Sequence, residues 1–293
     1  MFRRNKNSKK EKGSVKETVP LAQPGKFDVA ASILSDVGCV RELNEDSGAS
    51  IQPDNPDLRA SKGSLILVAD GMGGHSAGEV ASRLAVDTIT RIYYEATDDP
   101  QSALKRAFVE ANREINKAAE KDESKTGMGT TCTALVLQNG TAISAHVGDS
   151  RLYLVRDQAI YLMTEDHSAV MEMVKAGLIT MEQARHHPDK NVILRAMGSH
   201  PEVEVACWSA PFPVRGGDKF VLCSDGLYDL VGDDEIKEGV AGRDPLSACQ
   251  TLIGLARERG GHDNITVGVI AVELAKGVAT RRVKETREAE VAL

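Results

Sequence analysis

Four residues, Gln138-Asn139-Gly140-Thr141, constrain the fold of this chain most tightly. Asn-Gly between two apolar runs marks a two-residue β-hairpin turn, because both central positions need positive φ and these residues accept it at least cost. The flanking runs, Thr131–Leu137 and Thr141–Val147, therefore read as neighbouring antiparallel strands. Ser64–Ala69, Arg151–Val155, Ala159–Met163, Val203–Ser209, Lys219–Cys223 and Ile265–Val272 are further short β-like runs. Helical spacing of apolar residues runs through Glu79–Ala96, Ala103–Lys121, residues 167–186 and Asp244–Arg259. Hairpin strands interleaved with separate helical blocks predict an α+β fold, with antiparallel sheets covered by helices.

The 293 residues are 41% apolar, enough for one full core. No apolar stretch approaches the ~18 residues of a membrane span, and no apolar segment follows the first charges as in a signal peptide. The five cysteines, Cys39, Cys132, Cys207, Cys223 and Cys249, are scattered without a C-x-x-C pair. That excludes a disulfide framework and a structural zinc site and points to a reducing, cytoplasmic setting. The net charge of -7 is uneven: residues 1–17 carry +5, residues 276–293 carry +2, and the rest about -14. Residues 1–26, with Pro20 and Pro24, read as a basic disordered leader, 27–275 as the folded domain and 276–293 as a charged tail. An acidic body of this kind does not suit nucleic acid.

Chemistry is suggested by where the carboxylates fall. Ser64–Ala69 leads into Asp70 and then Gly71, Gly73 and Gly74. "RELNEDS" (Glu45, Asp46), "HVGDSR" (Asp149), "LCSDGLYD" (Asp225) and "GGHDNIT" (Asp263) likewise put an acid at the edge of an apolar run beside Gly or Asn. Each alone is an ordinary turn. Brought together, such acids would repel one another by several kcal/mol or be forced to protonate. A divalent cation removes the repulsion, and an all-oxygen ligand set selects Mg²⁺ or Mn²⁺ over zinc. The glycines would let the Gly71 carbonyl approach the same ion.

The ordered series "SDVGCVRELNED", "LVADGMGGHSAGEVAS", "GTTCTALV", "AHVGDSRLYLVR", "MTEDHS", "HHPDKNVILRAMGS", "CSDGLYD" and "GGHDNITV" resembles the metal-dependent serine/threonine protein phosphatases (PPM, or type 2C), in their bacterial branch. The resemblance covers about residues 28–273. It implies a four-layer α-β-β-α sandwich with a dinuclear metal centre at one edge. On this resemblance Asp70 bridges two Mn²⁺ or Mg²⁺ ions, the Gly71 carbonyl binds one, and Asp225 and Asp263 ligate the second. Glu45 and Asp46 hold metal-bound waters or the ions, Asp149 helps hold a third ion, and Arg41 grips the substrate phosphate. The implied reaction is hydrolysis of phosphoserine and phosphothreonine by a metal-activated water, without a covalent phospho-enzyme, opposing Ser/Thr kinases. Phosphoproteins are the expected partners, among them Ser/Thr kinases and their substrates, and the expected state is a monomer.

One departure concerns the proton for the leaving group. Animal members carry a His directly after Asp-Gly, whereas Met72 stands here. His75, His262 or a water are the alternatives. Residues 167–190 resemble the family's mobile flap, although Met171, Met173, Val174 and Leu178 read equally well as helix core. Rival readings are a phosphatase-like binding module without turnover and a phosphatase of small esters. A histidine-kinase-like ATPase is excluded by the missing remainder of its motif, and no P-loop is present.

Overall fold

A computed structural model describes residues 27–73 and 77–275. The chain opens with β1 (Phe27–Asp36), β2 (Ser47–Ile51), α1 (Pro56–Lys62), β3 (Ser64–Ala69) and β4 (Gly71–Met72). Two long helices follow, α2 (Ala77–Glu95) and α3 (Pro100–Lys121), then β5 (Gly129–Thr130), β6 (Cys132–Gln138), β7 (Thr141–Val147), β8 (Arg151–Arg156) and β9 (Ala159–Leu162). Next come α4 (Ala169–Lys175), α5 (Met181–Arg185), β10 (Ala206–Cys207), β11 (Phe212–Pro213) and β12 (Lys219–Cys223). The last elements are α6 (Asp225–Tyr228), α7 (Asp233–Val240), α8 (Pro245–Glu258) and β13 (Ile265–Leu274).

Strand alternation builds the layers. In β3, Leu65, Leu67 and Ala69 face α2 and α3, while Ile66 and Val68 face a second apolar cluster. That second cluster also takes Leu135 of β6, Leu152 and Leu154 of β8, and Phe220 and Leu222 of β12. The opposite faces of β12 and β13, with Val221, Val267 and Val269, pack with Leu252 and Ala256 of α8 and Ile236 of α7. Side chains of period two thus fill three cores, and the order is helix, sheet, sheet, helix. One sheet runs β1-β13-β12-β8-β9 and the other β10-β7-β6-β3-β2, every pair antiparallel. This is the α+β sandwich expected.

The hairpin forms as read: Asn139 and Gly140 sit at φ 48° and 80°, and Gln138 pairs with Thr141. Asp99 and Asp244 cap α3 and α8, each followed by Pro at the first helical position. Two expectations are corrected. The helix expected over 167–186 divides into α4 and α5, because Gly177 turns at φ +71° and Thr180 starts a new helix by a capping box with Gln183. The strand expected over Val203–Ser209 shortens to β10, paired only to the end of β7. The proposed leader and tail lie outside the described residues.

Candidate active site

Register carries the acidic residues to one end of each sheet. In one, Ser47 faces Ala69, Val68 faces Thr133, and Cys132 faces Val147, so Asp46, Asp70 and Asp149 leave the same end. In the other, Asp36 faces Ile265, and Cys223 faces both Val267 and Arg151, so Asp225 and Asp263 leave together. The two sheets are joined at this end by a hydrogen bond from the Ser224 hydroxyl to Asp46 Oδ2, 2.7 Å, across 178 positions of sequence.

Burial and mutual repulsion act on this group as one. Burial pushes Asp70 well above the usual carboxylate range, and the charges of Asp46, Asp225, Asp149 and Asp263 add to it. Asp225 rises in the same way, through burial and then Asp149, Asp263, Asp229 and Asp46. Burial lifts Asp46 to about 6 against hydrogen bonds from Thr266 and Ser224, and lifts Asp149 to about 7 with help from Asp166. Among the described residues, Glu45 Oε1 and Asp225 Oδ1 are buried without a hydrogen-bond partner. Orphaned carboxylate oxygens amid raised acids fit a hard divalent cation, which would satisfy the oxygens and cancel the repulsion. Among the described residues no three His, Cys, Asp or Glu side chains already form a metal-holding group. The convergence is therefore of burial and charge, not of a finished ligand cage.

Backbone fit explains the glycines. A Cβ on Gly71 would collide with the carbonyl oxygens of Gly78 and Glu45, and one on Gly78 would sit 2.7 Å from Glu45 Oε1. The loop before β2, the turn after β3 and the start of α2 thus meet backbone to backbone. Asp70 is anchored by its N–H on Thr131 Oγ1 at 3.0 Å, and its carbonyl accepts from the Thr131 N–H and Thr130 Oγ1, both at 2.9 Å.

Sequence reasoning passed over several supports. Asn264 accepts the Glu45 N–H at 2.8 Å and donates to the carbonyls of Val37 and Leu43 at 3.0 and 2.9 Å, which pins the Arg41 loop to the Asp263 turn. Its signal was present in the Asp-Asn pair. Behind Asp149, Arg151 is buried, with Asp166 taking two of its nitrogens and the Tyr228 ring 3.8 Å from its guanidinium carbon. That pairing links residues 15 apart and has no local signature.

The remaining candidates lie at the margin. Arg41, half exposed, donates to Asp263 Oδ2 at 2.9 Å, and this bond first of all holds its pKa above the ordinary value. His262 Nε2 stands 3.9 Å from the Asp229 carboxylate, and Met72 lies in β4. His75 lies outside the described residues. Beside the aspartates, a cleft of about 410 Å³ runs between Ser168, Met181 and Lys190 on one side and Tyr228 and Asp229 on the other. It reaches Asp149 but none of Asp70, Asp225 and Asp263.

A two-sheet sandwich with buried aspartates at one end and an arginine at their edge fits the phosphatase class that the sequence resembles. The match of residues 45–252 to the family model "Protein phosphatase 2C" places the chain in that family, to which it belongs. The serine/threonine phosphatase stp of Listeria monocytogenes is 37% identical over 252 residues, 84% of this chain and 97% of that protein. The crystal structure of the serine/threonine phosphatase PstP/Ppp of Mycobacterium tuberculosis superposes with a TM-score of 0.74 at 37% identity, over 84% of this chain and 99% of that one. The catalytic domain of PstP in complex with two manganese ions gives a TM-score of 0.72 at 35% identity, over 84% and 99%. Among the described residues no helix is long and apolar enough to cross a membrane.

Proposed function

We propose that this chain is a metal-dependent protein serine/threonine phosphatase, acting on phosphoproteins that include Ser/Thr kinases and their substrates. The set Asp46, Asp70, Asp149 and Asp225, each pushed up first by burial and then by neighbouring carboxylates, is the observation that carries the reading. Asp70, Asp225 and Asp263 would hold two divalent cations with the Gly71 carbonyl, Glu45 and Asp46 would bind them or their waters, and Asp149 would serve a third. Bound there, Mn²⁺ or Mg²⁺ supplies charge neutralisation and a nucleophile from water at neutral pH.

The protein's own groups do the rest. Arg41, half exposed, offers a planar pair of N–H donors to the phosphoryl oxygens once it leaves Asp263. Ser224 holds Asp46 in place from the opposite sheet, and Thr131 fixes the Asp70 backbone. Residues 167–190, several of which line the cleft beside Asp149, are assigned as the flap that receives the peptide around the phosphoresidue. Phosphate release from a phosphothreonine peptide tests the reading: Mn²⁺ should support it and EDTA abolish it. Turnover that persists in EDTA would refute it.

A further inference from the structure

The ends of the 167–194 segment are clasped to each other, and His167 at one of those ends also ties the segment to the Asp149 turn. The Leu194 N–H donates to the His167 carbonyl at 2.7 Å, and the Ala169 N–H to the Val192 carbonyl at 2.9 Å. The His167 N–H in turn donates to the Gly148 carbonyl at 2.8 Å, while the Gly148 N–H donates to His167 Nδ1 at 3.1 Å. Gly148 and His167 thus exchange two hydrogen bonds, one of them through the imidazole. Gly148 is held at φ +105°, and a Cβ there would collide with Thr131. The adjoining Asp149 and Ser150 are tied back toward Asp70, since Ser150 Oγ lies 2.6 Å from Thr131 Oγ1, which accepts the Asp70 N–H.

The ring itself is fixed from behind. His146 stacks on it with ring centres 4.8 Å apart. The His146 Nδ1 is 2.8 Å from Thr133 Oγ1, and its Nε2 is 3.2 Å from the Glu165 carbonyl. Accepting from Gly148 requires a lone pair on Nδ1, so the His167 proton belongs on Nε2. Burial, which lowers the pKa of both rings, keeps that neutral form.

Resting on the phosphatase reading above, we propose that His167 is a positioning residue: its Nδ1, by accepting the Gly148 N–H, locks the 167–194 segment in register with the Asp149 turn and so sets affinity for the phosphopeptide. It touches no reacting atom. Its influence falls on how the segment stands over the cleft.

Two substitutions of similar polarity separate this role from packing. In His167→Asn the side-chain oxygen stands where Nδ1 stood, whereas in His167→Gln the acceptor is carried one bond farther, to the Nε2 position. Loss of one buried bond, ~1.4 kcal/mol, is worth about a factor of ten. His167→Gln should raise KM for a phosphothreonine peptide about tenfold with kcat within about twofold. It should also speed tryptic cleavage at Lys175, Arg185 and Lys190 about tenfold, read by fragment mass. His167→Asn should stay within about twofold of the parent on both counts. The proposal is overturned if the two variants behave alike, whether both match the parent or both fall together. Cleavage is read without turnover, so a parent protein that failed to hydrolyse the peptide would count against the phosphatase reading and leave this comparison intact.

Discussion

Arg41 and Asp263 are hydrogen-bonded at 2.9 Å, although one is assigned to the substrate and the other to a cation. The guanidinium is half exposed, so the pair sits in water and contributes little to stability. A phosphate and a cation, arriving together, would each take one partner of this pair and separate it. The loop and the rim therefore stand close enough to share a charge before either meets its ligand.

Arg41→Ala is expected to raise KM for a phosphothreonine peptide about tenfold and leave kcat within a few-fold, since it removes binding made to the phosphate in ground and transition states alike. Arg41→Lys should recover little, because a lysine cannot supply the planar fork. Steady-state kinetics at saturating Mn²⁺ decide this, and an unchanged KM would free Arg41 from the role.

Asp70→Asn and Asp225→Asn should each lower kcat by about three orders of magnitude or more, by removing a ligand charge from the centre. Calorimetric titration with Mn²⁺ should show weakened binding in both. A variant with near-normal rate and binding would remove that residue from the ligand set.

Asn264→Ala should lower stability by about 2–3 kcal/mol, because it deletes one acceptor and two donors that hold the loop carrying Arg41 and Glu45. Urea unfolding measures the loss. A change under ~0.5 kcal/mol would mean that water replaces all three bonds.

The carboxylates also set a pH dependence. Asp46 near 6 and Asp149 near 7 in the folded protein lie above the ~3.9 of an unfolded chain. Between about pH 4 and 7 the folded state holds protons that the unfolded state has shed, so this contribution is complete below pH 4 and is lost as pH rises through 6 and 7. In EDTA the Tm should therefore fall from pH 5 to pH 8. Asp149→Asn should raise it at pH 8 by a few degrees, at ~2–4 °C per kcal/mol for a domain this size. A Tm that climbs from pH 5 to pH 8 in EDTA would contradict the raised values.

Local signals in the sequence accounted for the elements that carry them strongly. The Asn139-Gly140 turn, the apolar run before Asp70 and the face of α3 through Leu104, Phe108, Ala111 and Ile115 are all legible, because turn chemistry and periodicity act within a few residues. β1 was missed as a strand: Phe-Asp-Val-Ala-Ala-Ser-Ile-Leu-Ser-Asp alternates weakly, and it is fixed by pairing with β13 more than 200 residues away. α7, short and acidic, was missed for a similar reason, since Ile236 and Val240 gain their partners only in the outer core. At the site, the acids themselves stood out by repetition beside Gly or Asn. Ser224, Asn264, Arg151 and His167 did not, because each works through a partner that only the folded chain brings near.

The clasp between His167–Ala169 and Val192–Leu194 has a consequence for how such a chain can change. Whatever lies between these anchor points, the sandwich meets the same two backbone ends, and doubling the intervening length adds only ~0.6 kcal/mol of closure entropy. Between the anchors Arg185 pairs with Asp233 and Lys190 with Asp229, so a replacement for residues 170 to 191 gives up two ion pairs to the sandwich and keeps the clasp. A new recognition surface can be spliced in there while the three cores and the acidic rim stay as they are.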